Sequence, residues 1–89
     1  MKFLYFSAPW CSPCRTLGPV MDKVKEEGIA VNKINIDEEA NTEITSEYAV
    51  RSIPTVVLVD ESGKEFARTV GAHPLNHYIN QYKNFTEDV

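Results

Sequence analysis

Cys11 and Cys14 are the only cysteines of the chain, and they follow closely on the apolar run Met1-Lys2-Phe3-Leu4-Tyr5-Phe6, with Ser7-Ala8-Pro9-Trp10 between. A run of that composition reads as a strand, whereas Arg15 to Glu27 carries a helical stripe. The two thiols therefore fall at a strand-to-helix junction, one helical turn apart. Unpaired backbone N–H groups and the positive end of the helix dipole favour a thiolate at such a place. The chemistry this suits is thiol–disulfide exchange. One sulfur attacks a substrate disulfide, and the other resolves the mixed disulfide so that the substrate leaves reduced.

The elements that must hold the pair can be read on either side of it. Lys2 to Ser7 has the density of aromatic and branched residues expected of a strand buried on both faces. Leu17, Val20, Met21 and Val24 recur on one helical face, with Pro19 inside the pattern predicting a kink and Gly28 a stop. Ile29 to Asp37 predicts a second strand. Glu38 to Val50 predicts a weaker helix on Ile44, Tyr48 and Ala40, capped by Asn41 or Asp37. Thr55 to Val59 reads as a buried strand, Asp60-Glu61-Ser62-Gly63 as a hairpin turn and Glu65 to Val70 as the returning strand. Pro74 suits a first helical turn, and Leu75, Tyr78, Ile79 and Tyr82 form the last amphipathic stripe. The order β-α-β-α-β-β-α implies an α/β fold, a four-stranded mixed sheet flanked by helices.

The 89 residues are expected to form a single domain, 1–89, standing on its hydrophobic core, because a bridge across C-x-x-C is too short to staple a fold. A net charge of −4 gives no electrostatic reason to expect nucleic acid or an anionic membrane as partner. No targeting segment is read at the start of the chain, and no apolar stretch approaches the ~20 residues that span a bilayer. These features lead to the expectation of a cytoplasmic protein in a reducing compartment, where a lone C-x-x-C is more often catalytic than structural. Together with His73 and His77 the cysteines make a formal Cys2His2 set, but the stretch between is far longer than a zinc finger's. No metal and no organic cofactor is expected. His77 and the acidic runs Asp37-Glu38-Glu39 and Asp60-Glu61 read as solvated surface and caps.

Trp10-Cys11-Ser12-Pro13-Cys14 resembles the W-C-x-P-C signature of the thioredoxin family, and Pro19 matches that family's kink in the following helix. Lys33-Ile34-Asn35-Ile36-Asp37 is similar to its second parallel strand, Arg51-Ser52-Ile53-Pro54-Thr55 to the segment carrying its cis-proline, and Val70-Gly71-Ala72 to the turn before its last helix. The matches run in order from Lys2 to about Tyr82. The resemblance implies that Cys11 is the exposed attacking thiolate and Cys14 the more buried resolving thiol, with Pro13 stiffening the turn between them. It implies a cis Pro54 that, with Ile53, faces the sulfurs and presents backbone groups to an extended substrate. Trp10, Gly71 and Ala72 would line an apolar groove. The activity implied is reduction of protein disulfides, with the chain's own disulfide regenerated by a thioredoxin reductase or an equivalent dithiol donor.

Three departures from the family pattern bear on these expectations. The chain begins at the active-site strand, so the family's preceding strand and helix are expected to be lacking. The Ile29–Asp37 strand then becomes a sheet edge, with Lys33 as a guard against edge pairing. A monomer is expected, with lower stability or some self-association following from the open edge. Tyr5 stands where the family usually has a buried aspartate linked to proton removal from the resolving cysteine, and Lys33 matches that aspartate's lysine partner. A phenol with an ordinary pKa of about 10 is a poor base at neutral pH, so Tyr5 is expected to hydrogen-bond within the site while water carries the proton. Ser12 replaces the more usual glycine and tunes the thiolate. Two other functions stay open at this point. One is a glutaredoxin-like, glutathione-dependent reductase, favoured by the short start and opposed by Trp10 and Ile53-Pro54-Thr55; the other is a non-catalytic binding module of thioredoxin shape.

Overall fold

The structure, a computed structural model, describes residues 1–86. Its elements are β1 (Lys2–Ser7), α1 (Ser12–Glu26), β2 (Ala30–Asn35), a short 3-10 turn (Glu39–Asn41), α2 (Thr42–Glu47), β3 (Thr55–Val59), β4 (Glu65–Val70) and α3 (Leu75–Thr86). The strands form one mixed sheet in the order β2-β1-β3-β4. β1 runs parallel to β2, with Phe6 opposite Ile34, and antiparallel to β3, with Leu4 opposite Val57. β3 and β4 close the sheet as a hairpin. The expected architecture is the one observed.

Strand side chains alternate between the two faces, and here both faces are apolar. Phe3, Tyr5, Val56 and Leu58 pack on one side against Leu17, Met21 and Val24 of α1 and Tyr78 of α3. Leu4, Phe6, Val57 and Val59 pack on the other, with Ile44 and Tyr48 of the α2 segment against them. Burying each such side chain contributes about 1.5–3 kcal/mol, so β1 and β3 anchor both layers. β1 therefore delivers the chain to the sheet's end, where the cysteines stand, from the best-held part of the molecule.

α1 starts at Ser12, earlier than its apolar stripe alone indicates, because Cys11 occupies the N-cap. It ends with the Gly28 N–H on the Lys25 carbonyl and the Ile29 N–H on the Val24 carbonyl, the paired closure expected when glycine follows a helix. The predicted helix over 38–50 is shorter and divided. Asn41 takes the cap position of α2, but its side-chain amide donates instead to the Asn35 carbonyl, and Ala49 turns to a φ of 50° just past the helix end. The second strand is likewise trimmed from 29–37 to Ala30–Asn35, and Pro74 immediately precedes α3 rather than lying in its first turn. In the β3–β4 turn, Asp60 Oδ1 accepts from the Ser62 and Lys64 amides, and Gly63 takes a φ of 90° that side chains resist. No helix among the described residues is long and apolar enough to cross a membrane.

Candidate active site

Cys11 and Cys14 are joined as a disulfide at the end of β1, with their Cα atoms 5.2 Å apart. The Cys14 amide N–H points at Cys11 Sγ from 3.3 Å, so the Cys11 sulfur itself accepts the capping hydrogen bond of α1. A sulfur held there meets the positive end of the helix dipole, which favours its anionic form. Pro13 sits at the start of the helix, where a missing N–H costs nothing, and Ser12 and Pro13 are both exposed. The expectation of an exposed Cys11 over a more buried Cys14 needs correcting: the residues are 5% and 4% exposed. Ala8, Ile36 and Ile53 pack around the pair and cover both. What separates the two sulfurs is the cap bond on Cys11, not exposure.

The loop before β3 supplies the opposite wall. The Ile53–Pro54 peptide is cis, and the Ile53 carbonyl oxygen lies 3.8 Å from Cys11 Sγ. The Pro54 carbonyl accepts the Gly71 N–H at 2.9 Å, and Gly71 has a φ of 90°, so this turn depends on a residue without a Cβ. Trp10, Ile36, Val50, Arg51, Ser52 and Ile53 enclose a shallow groove of about 310 Å³. Gly71 and Ala72 do not line that groove, and Gly71 enters the site only through its bond to Pro54.

Trp10 is 64% exposed, yet its indole N–H donates to Asp37 Oδ2 at 2.6 Å. Asp37 is thus the anchor of the groove's aromatic wall, not the plain solvated residue of the acidic run. Arg15 adds a second tie by donating from Nε and a terminal nitrogen to the Pro9 carbonyl at 3.3 and 3.1 Å. Sequence reasoning missed both. The signal available for the first was an acidic residue closing the strand-like Lys33–Asp37 segment, which does not by itself name a partner 27 residues away.

Tyr5 makes the hydrogen bond expected of it within the site. Its hydroxyl donates to the Cys14 carbonyl at 2.8 Å, on the inner side of α1. Burial pushes the phenol above its ordinary pKa; the Ser7 hydroxyl offsets part of this, and the charge of Asp22 adds to it. Lys33, exposed on β2, lines the same open pocket as Tyr5 and Cys14. The formal Cys2His2 set is not gathered, and among the described residues no group of three or more His, Cys, Asp or Glu is placed to hold a metal. His73 and His77 instead stack on each other at 4.6 Å, and His77 is part-buried, with Nε2 2.8 Å from Thr69 Oγ1. Its expected place on the open surface is corrected by that contact.

Comparison with known proteins bears on the same region. The family model described as Thioredoxin matches residues 2–84. A thioredoxin of Rickettsia bellii is 44% identical over 82 residues, covering 89% of this chain and 75% of its own. One of Porphyra purpurea is 43% identical over 83 residues, covering 86% and 75%. Among solved structures, a point-mutant thioredoxin of Halobacterium salinarum superposes with a TM-score of 0.87 at 35% identity, over 98% of this chain and 75% of that one.

Proposed function

Since this chain belongs to the thioredoxin family and its activity is thioredoxin-type disulfide reduction, we propose that Cys11 is the attacking sulfur and Cys14 the resolving one. The observation that carries the assignment is the Cys14 N–H directed at Cys11 Sγ from 3.3 Å. A donor aimed at one sulfur lowers the energy of that sulfur's thiolate, and the thiolate is the nucleophile. Cys14, inside the helix, receives no such donor from the described residues and is placed to attack the mixed disulfide once it forms. The Ile53 carbonyl and the groove beside Trp10 offer an extended substrate a backbone acceptor and an apolar bed close to the Cys11 sulfur. Pro13 and Ser12 set the turn between the sulfurs, and Pro54 with Gly71 sets the facing wall.

Membership of the family implies disulfide-bearing proteins as substrates and a reductase as electron source. In our reading the latter is a thioredoxin reductase or an equivalent dithiol donor, and the chain acts as a cytoplasmic monomer. Its only two cysteines are the redox pair, which fits a reducing compartment. The roles are tested by trapping. Cys14→Ser should accumulate a covalent adduct with a disulfide-bonded protein substrate on Cys11, stable until a thiol is added and visible by mass. Cys11→Ser should accumulate none; an adduct that formed equally well on Cys14 would reverse the assignment.

A further inference from the structure

Resolution of the mixed disulfide requires the Cys14 thiol to give up a proton. An open pocket of about 370 Å³ lies against Cys14, between α1 and the β1 and β2 strands. The one carboxylate in its wall is Asp22, and the other ionisable side chains there besides Cys14 are Tyr5 of β1, Arg15 of α1 and Lys33 of β2. Lys25 of α1 joins Asp22 in the smaller pocket that adjoins it.

Cys14, Gly18 and Asp22 follow one another at four-residue steps, so they run along one side of α1. About 12 Å of helix rise separates the first from the last, too far for direct transfer and short enough for a few waters in line. Gly18 stands between them. A Cβ at Gly18 would meet nothing within 4 Å, so no packing demands a glycine there. A glycine inside a helix costs about 1 kcal/mol relative to alanine. What the absent side chain leaves is a clear floor from Cys14 to Asp22, with Ser7, Lys33 and Asn35 set among apolar groups in the walls and room enough for water. Tyr5 does not fill the role, because its hydroxyl is committed to the Cys14 carbonyl and its phenol holds its proton more tightly than usual.

We propose that Asp22 accepts, through water in this pocket, the proton that Cys14 loses as it resolves the mixed disulfide. The proposal rests on Cys14 being the resolving sulfur. In the step, the Cys14 S–H bond breaks and its proton passes along water to the Asp22 carboxylate. The Cys14 sulfur forms a bond to Cys11 Sγ, the bond from Cys11 to the substrate sulfur breaks, and the substrate departs as thiolate. The two electrons of the broken bond leave with it. Asp22 is exposed and returns the proton to solvent.

The test is a rapid-mixing measurement of the reduced protein with a chromogenic aromatic disulfide, across a range of pH. The first coloured thiolate is released when Cys11 attacks and the second when Cys14 resolves, so the phases separate. Asp22→Asn should leave the first phase unchanged and slow the second about tenfold or more at neutral pH. The second phase should also lose its pH-independent part on the acid side, following the Cys14 thiolate population alone. Asp22→Glu should keep most of the wild-type profile. A second phase in Asp22→Asn matching the wild type at every pH would overturn the proposal, as would Asp22→Glu being as slow as Asp22→Asn. Cys14→Ser should abolish the second release. Its persistence there would sink the resolving role itself, and the proposal with it, through a variant in which Asp22 is intact.

Discussion

The Tyr5 hydroxyl donates to a backbone carbonyl and not to a sulfur, which sets what its loss should do. Tyr5→Phe removes one buried hydrogen bond and leaves the Cys14 carbonyl with a missing partner, a cost of about 1 kcal/mol readable in thermal unfolding. Because that bond holds the turn of helix bearing Cys14, reduction of a protein disulfide should also slow measurably; an unchanged rate would leave Tyr5 as core packing alone. Asp37 acts at the same scale on the other wall. With the Trp10 indole no longer held at 2.6 Å, Asp37→Ala should loosen the groove and raise KM for a protein substrate several-fold with kcat little altered. Trp10 is the only tryptophan, so its fluorescence reports the same event. An unchanged emission spectrum and KM would count against the anchor.

At the level of elements, the seam between β4 and α3 carries the clearest pH sensitivity. His77 lies at the start of α3 against Thr69 of β4, and burial, followed by the neighbouring charge of His73, holds its pKa below the ordinary value. The folded state thus resists protonation of His77. The associated stability is present above the ordinary histidine pKa of about 6.5 and is lost as the pH falls through the lower folded value. Unfolding temperatures should therefore drop on acidification in the wild type and drop less in His77→Gln; parallel profiles would contradict this. β1 and β3 were legible in sequence because short runs this dense in aromatic and branched residues favour strand over helix. The cysteine pair was legible from residue type and spacing, and the cis Pro54 from the family resemblance, whereas Gly71 holds the Pro54 carbonyl and does not line the groove as that resemblance implied. α2 was overextended because Ile44 and Tyr48 give a helical stripe whatever happens at its ends. Those ends are set by Asn41 reaching back to Asn35 and by the turn at Ala49. The Trp10–Asp37 contact was unread for a related reason: it joins residues that only the pairing of β1 with β2 brings together, and the expected Tyr5 bond found its partner, the Cys14 carbonyl, only through the packing of α1 on β1.

Across the whole molecule, the sheet ends in β2 on one side, and β2 exposes half of its residues, Lys33 among them. An edge of this kind is a template for pairing with another chain, and a lysine on it discourages that. The wild type should sediment as a monomer over a wide concentration range, whereas Lys33→Val should show concentration-dependent association; identical behaviour would assign Lys33 to the pocket beside Cys14 instead. The cap of α1 has a consequence on the same scale. One hydrogen bond joins the helix start to the Cys11 sulfur, so folded and unfolded, reduced and oxidised forms make a closed thermodynamic cycle around it. Any extra grip of the helix on the thiolate appears both as folding stability of the reduced chain and as affinity for electrons, about 30 mV for each ~1.4 kcal/mol. A substitution that made the start of α1 firmer only when reduced would therefore turn the protein into a weaker reductant. How strongly the molecule gives up electrons is, in part, a statement of how well its first helix is begun.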